Sequence, residues 1–375
     1  MEGTSKHVVS ATKPKSLEDR VYGCLIGGAI GDALGAPVEG WSFRRIREEY
    51  GKVEEFHSYE GKLPYSSGKP GVVTDDTTLR HYLCYAIVKK GGRVTPDDYA
   101  EVWREHLNPN RLWENEAIVK RKLDNGMSPW DTGKGTIPAG VASMAIEPIG
   151  IVNVGDPERA YRDAFLIASV NQTGSNRDVA ATFAAGIAEA LDPEATVDSV
   201  IEAMFEHSTD LVHRAFDLTM ALAEEANDID EFASAFYDDR LDYTWPAVEW
   251  DREAYREGEL FSAESLEFVP AAVAIFALCE GDVNDSIVEG ASFGRDCDTI
   301  AKLAGNLAGA LRGQGPIRDD WIKDCERANT PFFEELEGDS DANFRSMARR
   351  LVDVVEIERD RTRQRAKNLD RILRQ

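Results

Sequence analysis

The stretch 291–313, ASFGRDCDTIAKLAGNLAGALRG, carries helical periodicity, and within it Gly305, Gly309 and Gly313 recur every four residues. A second stretch, GCLIGGAIGDALGAPVEG at 23–40, repeats that register with Gly23, Gly27, Gly31 and Gly35. Residues four apart share a helix face, so each set forms a bare stripe along one helix. Glycine costs about 1 kcal/mol against alanine in a helix interior. Such a stripe needs an offsetting gain, either close helix approach or access of backbone to a ligand, and the letters leave both open.

Working outward, nearly every long segment reads as helix. Val21, Cys24, Leu25, Ala29 and Leu34 share one, Leu79, Leu83, Ala86 and Ile87 another, and Val179, Phe183, Ile187 and Leu191 a third. Further helices are expected at 194–206, 208–226, 264–280, 283–292, 317–328 and 341–372. No stretch alternates cleanly over several turn-punctuated strands, so the expected fold class is all-α, a compact multi-helix bundle. Gly-, Pro- and aromatic-rich stretches at 59–73, 126–140 and 238–262 read as loops. The expected organisation is a leader at 1–16, a helical domain at 17–328 and a charged helical extension at 329–375. In that extension Arg interleaves with Asp and Glu at helical spacing, as in a solvated or oligomer-contacting helix rather than a nucleic-acid arm.

The 375 residues, 42% hydrophobic, suffice for a sizeable core. The net charge of -25 repels phosphate backbones and anionic lipid, so neither nucleic acid nor a membrane is an expected partner. Five scattered cysteines without a CxxC pair argue against a disulfide framework and a thiolate metal site. The polar N-terminus has no apolar signal core, and no run reads as a membrane span. A reducing, cytoplasmic setting is therefore expected.

Two acidic helix starts carry the chemistry. Thr74-Asp75-Asp76-Thr77 precedes one apolar helix and Asp296-Cys297-Asp298-Thr299 precedes another. Either motif alone serves as an N-cap, because Asp and Thr oxygens accept the unpaired amide protons there and the helix dipole favours negative charge. A cap needs only one side-chain oxygen, so the second acid of each pair is surplus and repels its neighbour unless a cation lies between them. Hard oxygen donors without His or Cys select Mg²⁺, Mn²⁺ or Ca²⁺, and facing helix starts would make a two-metal site. The phosphatase motif Asp-x-Asp-x-Thr needs a preceding buried strand, and here Ala291–Arg295 precedes instead. GxxxxGK[ST], GxSxG and HExxH are absent, and the six histidines have no ligand spacing.

GCLIGGAIGDALGAPVEG at 23–40, TDDTTL at 74–79, SLEFVPAAVAIF at 265–276 and the stretch at 291–313 together resemble the ADP-ribosylglycohydrolase family. The resemblance spans roughly residues 17–315. It implies an all-α fold that cleaves the glycosidic bond at the anomeric carbon of ADP-ribose with two magnesium ions, Mn²⁺ being an alternative. Carried over where letters match, Thr74, Asp75, Asp76, Asp296, Asp298 and Thr299 would hold the metals. Glu39 would lie on a loop covering the site as general acid/base, with Asp76 and Asp296 at the reacting centre and Asp32 close to the substrate. Paired cations can grip the adjacent ribose hydroxyls while carboxylates stabilise oxocarbenium-like charge.

Three departures bear on the substrate. The nucleotide-binding run Gly-Asn-Gly-Ser…Met-Arg is replaced by PAGVASMAIEPIG at 138–150, keeping Met144 and Pro148 but losing the Asn, its glycine and the Arg, with Ser143 in this run an expected substrate contact. A threonine-histidine pair becomes Val170-Asn171-Gln172-Thr173, and the second glycine of Gly-Gly-Asp is Arg295. Asn171, Gln172, Asn176 and Arg177 are the expected replacements in substrate binding, with Arg177 forking onto a phosphate or carboxylate. Trp245 is expected to stack a base. On this reading ADP-ribosyl-arginine is a poor substrate. The expected partner is a small ribosyl compound or an ADP-ribosylated protein. A hydrolase of a smaller riboside or nucleoside, and a non-catalytic member of the fold, are the alternatives.

Overall fold

A computed structural model describes residues 16–60, 67–108, 113–239 and 264–374. Among them are sixteen α-helices and one short antiparallel strand pair, β1 (Tyr59–Glu60) and β2 (Ser67–Gly68). The all-α expectation holds. In chain order the helices are α1 (Leu17–Gly35), α2 (Phe43–Glu49), α3 (Asp75–Lys90), α4 (Pro96–His106), α5 (Glu114–Asp124), α6 (Glu147–Val152), α7 (Pro157–Ile167) and α8 (Ser175–Ala190). Then follow α9 (Val197–Glu206), α10 (Asp210–Glu225), α11 (Ile229–Asp239), α12 (Ser265–Leu278), α13 (Val283–Ala291), α14 (Cys297–Arg312), α15 (Asp319–Glu337) and α16 (Phe344–Leu373).

The axis of the molecule is the pair α1 and α14, and the glycine stripes explain it. A Cβ at Gly23 would lie 2.5 Å from the Gly309 carbonyl oxygen, at Gly27 2.6 Å from that of Gly305, and at Gly31 2.3 Å from that of Ala301. A Cβ at Gly35 would lie 2.4 Å from the Asp298 Cα. Positions rise along one helix as they fall along the other, so the pair is antiparallel and its backbones touch over four turns. Of the two gains the stripe required, close helix approach is the one found. Its functional consequence lies at the end of the stripe, where the C-terminus of α1 is pinned against the first turn of α14.

Buried polar groups fix the neighbours of this pair. Lys302 on α14 donates to Glu147 on α6 at 2.7 Å, and Arg80 on α3 donates to the Leu25 carbonyl at 3.0 Å and lies 3.4 Å from the same Glu147. All three charged side chains are fully buried. A buried charge is tolerated only when paired, so these contacts set how α3, α6 and α14 meet. Asn306 completes the layer, donating to the Cys24 carbonyl at 2.7 Å.

Two expectations change. Leu17–Val38 is long and apolar enough to cross a membrane by length and composition, contrary to the reading of the N-terminal third; it is the buried core helix described above. Helix α15, expected to end at 328, continues through Pro331 to Glu337, because Phe332, Phe333 and Leu336 bury their side chains there. In α16, Phe344, Met347, Ala348, Leu351 and Val354 are buried, whereas 359–374 is exposed throughout.

Candidate active site

The two acidic helix starts face each other. Thr74 caps α3, its hydroxyl accepting from the Asp76 amide at 3.3 Å, and Asp296 stands at the N-cap of α14 without a side-chain cap bond. Thr299 reaches across and donates to Asp76 Oδ1 at 2.9 Å. The carboxylate of Asp32, from the last turn of α1, accepts from the Thr74 amide at 3.0 Å and the Thr77 amide at 3.1 Å. One helix thereby satisfies the free amides of another. Each oxygen of Asp32, expected close to the substrate, takes one backbone amide, so the residue also positions the 74–77 turn.

Glu39 follows the single 3₁₀ turn Ala36–Val38 at the end of α1, and a two-bond clamp sets its segment. The Gly40 amide donates to the Arg295 carbonyl and the Arg295 amide donates to the Trp41 carbonyl, both at 2.7 Å. The clamp needs left-handed backbone at Gly294 (φ 94°) and Arg295 (φ 56°). Glycine adopts such angles freely, whereas a residue with a Cβ stores roughly 1–3 kcal/mol of strain. Arg295 gains an offset: its guanidinium is buried 3.5 Å from Glu267 and 5.0 Å from the Tyr237 ring centre.

Carboxylate oxygens of Glu39, Asp296 and Asp298 come within 4.8 Å of one another, a group that could hold a metal ion. Asp298 Oδ1 is buried and has no hydrogen-bond partner among the described residues. Glu39 is the exposed member of this group, and partial desolvation, then the neighbouring acids Asp296, Asp75 and Asp32, raises its carboxyl above the usual range. Burial lifts Asp75 to about 6, against hydrogen bonding and with Asp32 adding to it, and Asp296 to about 7 despite hydrogen bonds from Thr299 and Asp298. Asp76 and Asp298 are raised well above the usual carboxylate range, by burial first and by their acid neighbours second. A cluster of like charges, open at Glu39 and buried at Asp296 and Asp298, with an unpartnered oxygen fits a divalent cation: the donors are hard, anionic and already assembled.

The expected substrate contacts fare differently. Ser143 is fully buried and its hydroxyl donates to Ser265 at 3.4 Å, joining the 143–145 turn to α12. Arg177 is oriented by protein contacts: both its Nε and Nη2 donate to the Phe165 carbonyl, at 3.0 and 2.7 Å, and it stacks on the Phe165 ring. Gln172 donates to the Ile137 carbonyl at 3.3 Å and accepts from Asn176 at 3.4 Å. Asn171 takes the Asn115 side-chain amide on its carbonyl at 3.4 Å, while its own Oδ1 is buried without a partner among the described residues. Trp245 lies outside the described residues.

Sequence reasoning passed over Glu116. It is fully buried on α5, and neither carboxylate oxygen has a hydrogen-bond partner among the described residues. Burial and then Asp75 push it up to about 8. Only an acid at a helix position otherwise turned inward marked it in the sequence, and that signal is weak.

Fold and site together define a class: an all-helical protein whose acid-bearing helix starts and one loop carboxylate converge on a pocket suited to a divalent cation. The chain belongs to the ADP-ribosylglycohydrolase family, whose model matches residues 13–361. It is accordingly a hydrolase. An uncharacterised protein of Archaeoglobus fulgidus is 29% identical over 324 residues, covering 85% of this chain and 95% of that one. ADP-ribosylhydrolase ARH3 of Gallus gallus is 25% identical over 353 residues, covering 86% and 93%. A solved ADP-ribosylglycohydrolase-related protein complex superposes with a TM-score of 0.62 at 20% identity, over 90% of this chain and 99% of that one, a likeness of fold.

Proposed function

We propose that the protein is a magnesium-dependent ADP-ribosyl hydrolase that cleaves an N- or O-glycosidic bond at the anomeric carbon of ribose. The observation that carries this reading is the convergence of Glu39, Asp296 and Asp298 within 4.8 Å, with Asp298 Oδ1 left unpartnered. Thr74, Asp75, Asp76, Asp296, Asp298 and Thr299 would hold two Mg²⁺ ions, or Mn²⁺ in their place. When bound, such ions grip adjacent ribose hydroxyls and offset the crowded negative charge.

The remaining work falls to side chains. Asp32 holds the 74–77 turn, and the clamp through Arg295 holds Glu39 over the acids. Glu39, as the carboxylate, takes a proton from the attacking water as the water oxygen bonds to the anomeric carbon and the C1–N or C1–O bond breaks. Glu39 then returns one proton to the departing nitrogen or oxygen, so one water is consumed and the carboxylate is restored. Asp76 and Asp296 stabilise the positive charge that builds at the sugar as that bond breaks. The five free thiols agree with a reducing, cytoplasmic setting.

One observation favours a smaller riboside as a second reading. Residues 139–152 are buried throughout, and a Cβ at Gly140 would lie 1.8 Å from the Phe268 ring. That run therefore offers no exposed side chain to a diphosphate. A panel of ADP-ribosylated arginine, ADP-ribosylated serine, an ADP-ribosyl acetyl ester and simple nucleosides separates the readings. With magnesium we expect sugar release from an ADP-ribosyl compound and none after chelation. Release from nucleosides alone moves the assignment to the smaller substrate, and no release from any compound removes the glycosidase reading.

A further inference from the structure

The short strand pair delivers one more group to the acids. Tyr59 pairs with Gly68 across the two strands, and a Cβ at Gly68 would lie 2.3 Å from Cε1, 2.5 Å from Cζ and 2.7 Å from the hydroxyl oxygen of Tyr59. The phenol ring therefore lies across Gly68, on a seat that any other residue would fill. So placed, Tyr59 Oη is buried and has no hydrogen-bond partner among the described residues. Strand β1 packs against the Ala36–Val38 turn that leads into Glu39, which brings the phenol within the field of Asp32, Asp298, Asp75 and Glu39.

A buried hydroxyl is normally hydrogen-bonded, and one left without a partner calls for an explanation. Burial first, and the four acids second, raise the phenol's pKa, so it keeps its proton at any working pH. The groups around it, once ionised, are acceptors. A lone O–H donor among acceptors, bonded to none of them, suits a ligand that presents an oxygen lone pair. A ribosyl substrate does so at its hydroxyls, its ring oxygen and, in an O-glycoside, its leaving atom.

We propose that Tyr59 Oη donates a hydrogen bond to an oxygen of the bound ribosyl group, which makes Tyr59 a substrate-contacting residue of this site. The assignment rests on the glycosidase reading and adds to it a phenolic donor from outside the two acidic helix starts. A purely structural hydroxyl would be bonded to protein, and the ring's packing on Gly68 does not need the oxygen.

Tyr59→Phe keeps the ring and removes only the oxygen. With the best substrate of the panel we expect kcat/KM to fall 10- to 100-fold, with magnesium affinity by calorimetry and the melting temperature unchanged. Binding of ADP-ribose in the presence of magnesium should weaken about tenfold. Gly68→Ala, which pushes the ring off its seat, should lose activity to a similar degree, and the double variant should be no worse than Gly68→Ala alone. A Tyr59→Phe enzyme within twofold of wild type in kcat/KM and in ADP-ribose affinity overturns the contact. So does a variant that loses metal binding or melts early, since the hydroxyl would then support the fold. Wild-type protein that releases no sugar from any panel compound fails at the functional reading itself, a different outcome from an active wild type matched by its variant.

Discussion

At the scale of single residues, the informative comparison is between the acids that were readable and those that were not. Asp75, Asp76, Asp296 and Asp298 stand in two local motifs, and one excess carboxylate per helix start was enough to mark them. Asp32 meets the amides of Thr74 and Thr77, 42 and 45 positions on, Glu116 feels Asp75, 41 positions back, and no local pattern encodes such a meeting. The same holds for Arg177, whose letter promised an anion contact and whose place beside the Phe165 carbonyl gave it another use. Asp298→Asn and Asp75→Asn should each reduce turnover by at least a thousandfold. The amide retains size and much of the capping ability but loses the anionic oxygen. Circular dichroism and melting should stay near wild type in both, and Asp298→Asn removes charge from a crowded site, so a small rise in metal-free stability is expected. Turnover within tenfold of wild type in either variant would reduce these motifs to helix caps.

At the scale of elements, helices were legible because an apolar stripe at 3.6-residue spacing needs no tertiary knowledge. The C-terminal end of α15 was not: a proline at 331 reads as a breaker, yet buried Phe332, Phe333 and Leu336 hold the helix together past it. The glycine stripes were visible in the letters, but their partner was not. Each stripe is the other's docking surface, and the match only appears once 23 sits on 309 and 27 on 305. Gly309→Ala tests that match. Its Cβ would lie 2.1 Å from the Gly23 carbonyl oxygen, a backbone atom that cannot swing aside. Overpacking of this kind costs about 1–3 kcal/mol, and it has to exceed the gain of about 1 kcal/mol that alanine brings to a helix interior. Chemical denaturation should therefore show a net loss. Because the same helix pair ends at Asp298, magnesium affinity should weaken as well. A variant as stable as wild type would mean that the helices are held apart by other contacts.

At the scale of the whole molecule, burying several carboxylates in one pocket links stability to pH and to metal. Without cations, Asp75 sits at about 6, Asp296 at about 7 and Glu116 at about 8, each above its value of 3.8 or 4.5 in an unfolded chain. Between about pH 4 and pH 8 the folded state thus binds more protons than the unfolded one, so stability falls as pH rises. The loss is absent below the unfolded values, where both states are protonated, and complete above the folded ones. This is the reverse of a protein whose acids are held in salt bridges, which weakens as pH falls. A cation that binds the ionised site favours the deprotonated form and removes the trend; at a hundredfold excess over Kd it adds about 2.7 kcal/mol. The expected result is a melting temperature that drops from pH 5 to pH 8 in chelator, and a curve that rises and flattens in saturating magnesium, with the largest gain at pH 8. The separation should collapse in Asp298→Asn, which lacks the ligand but keeps the fold. Equal melting with and without magnesium at pH 8 would mean that the acids do not form a cation site, whatever their proximity.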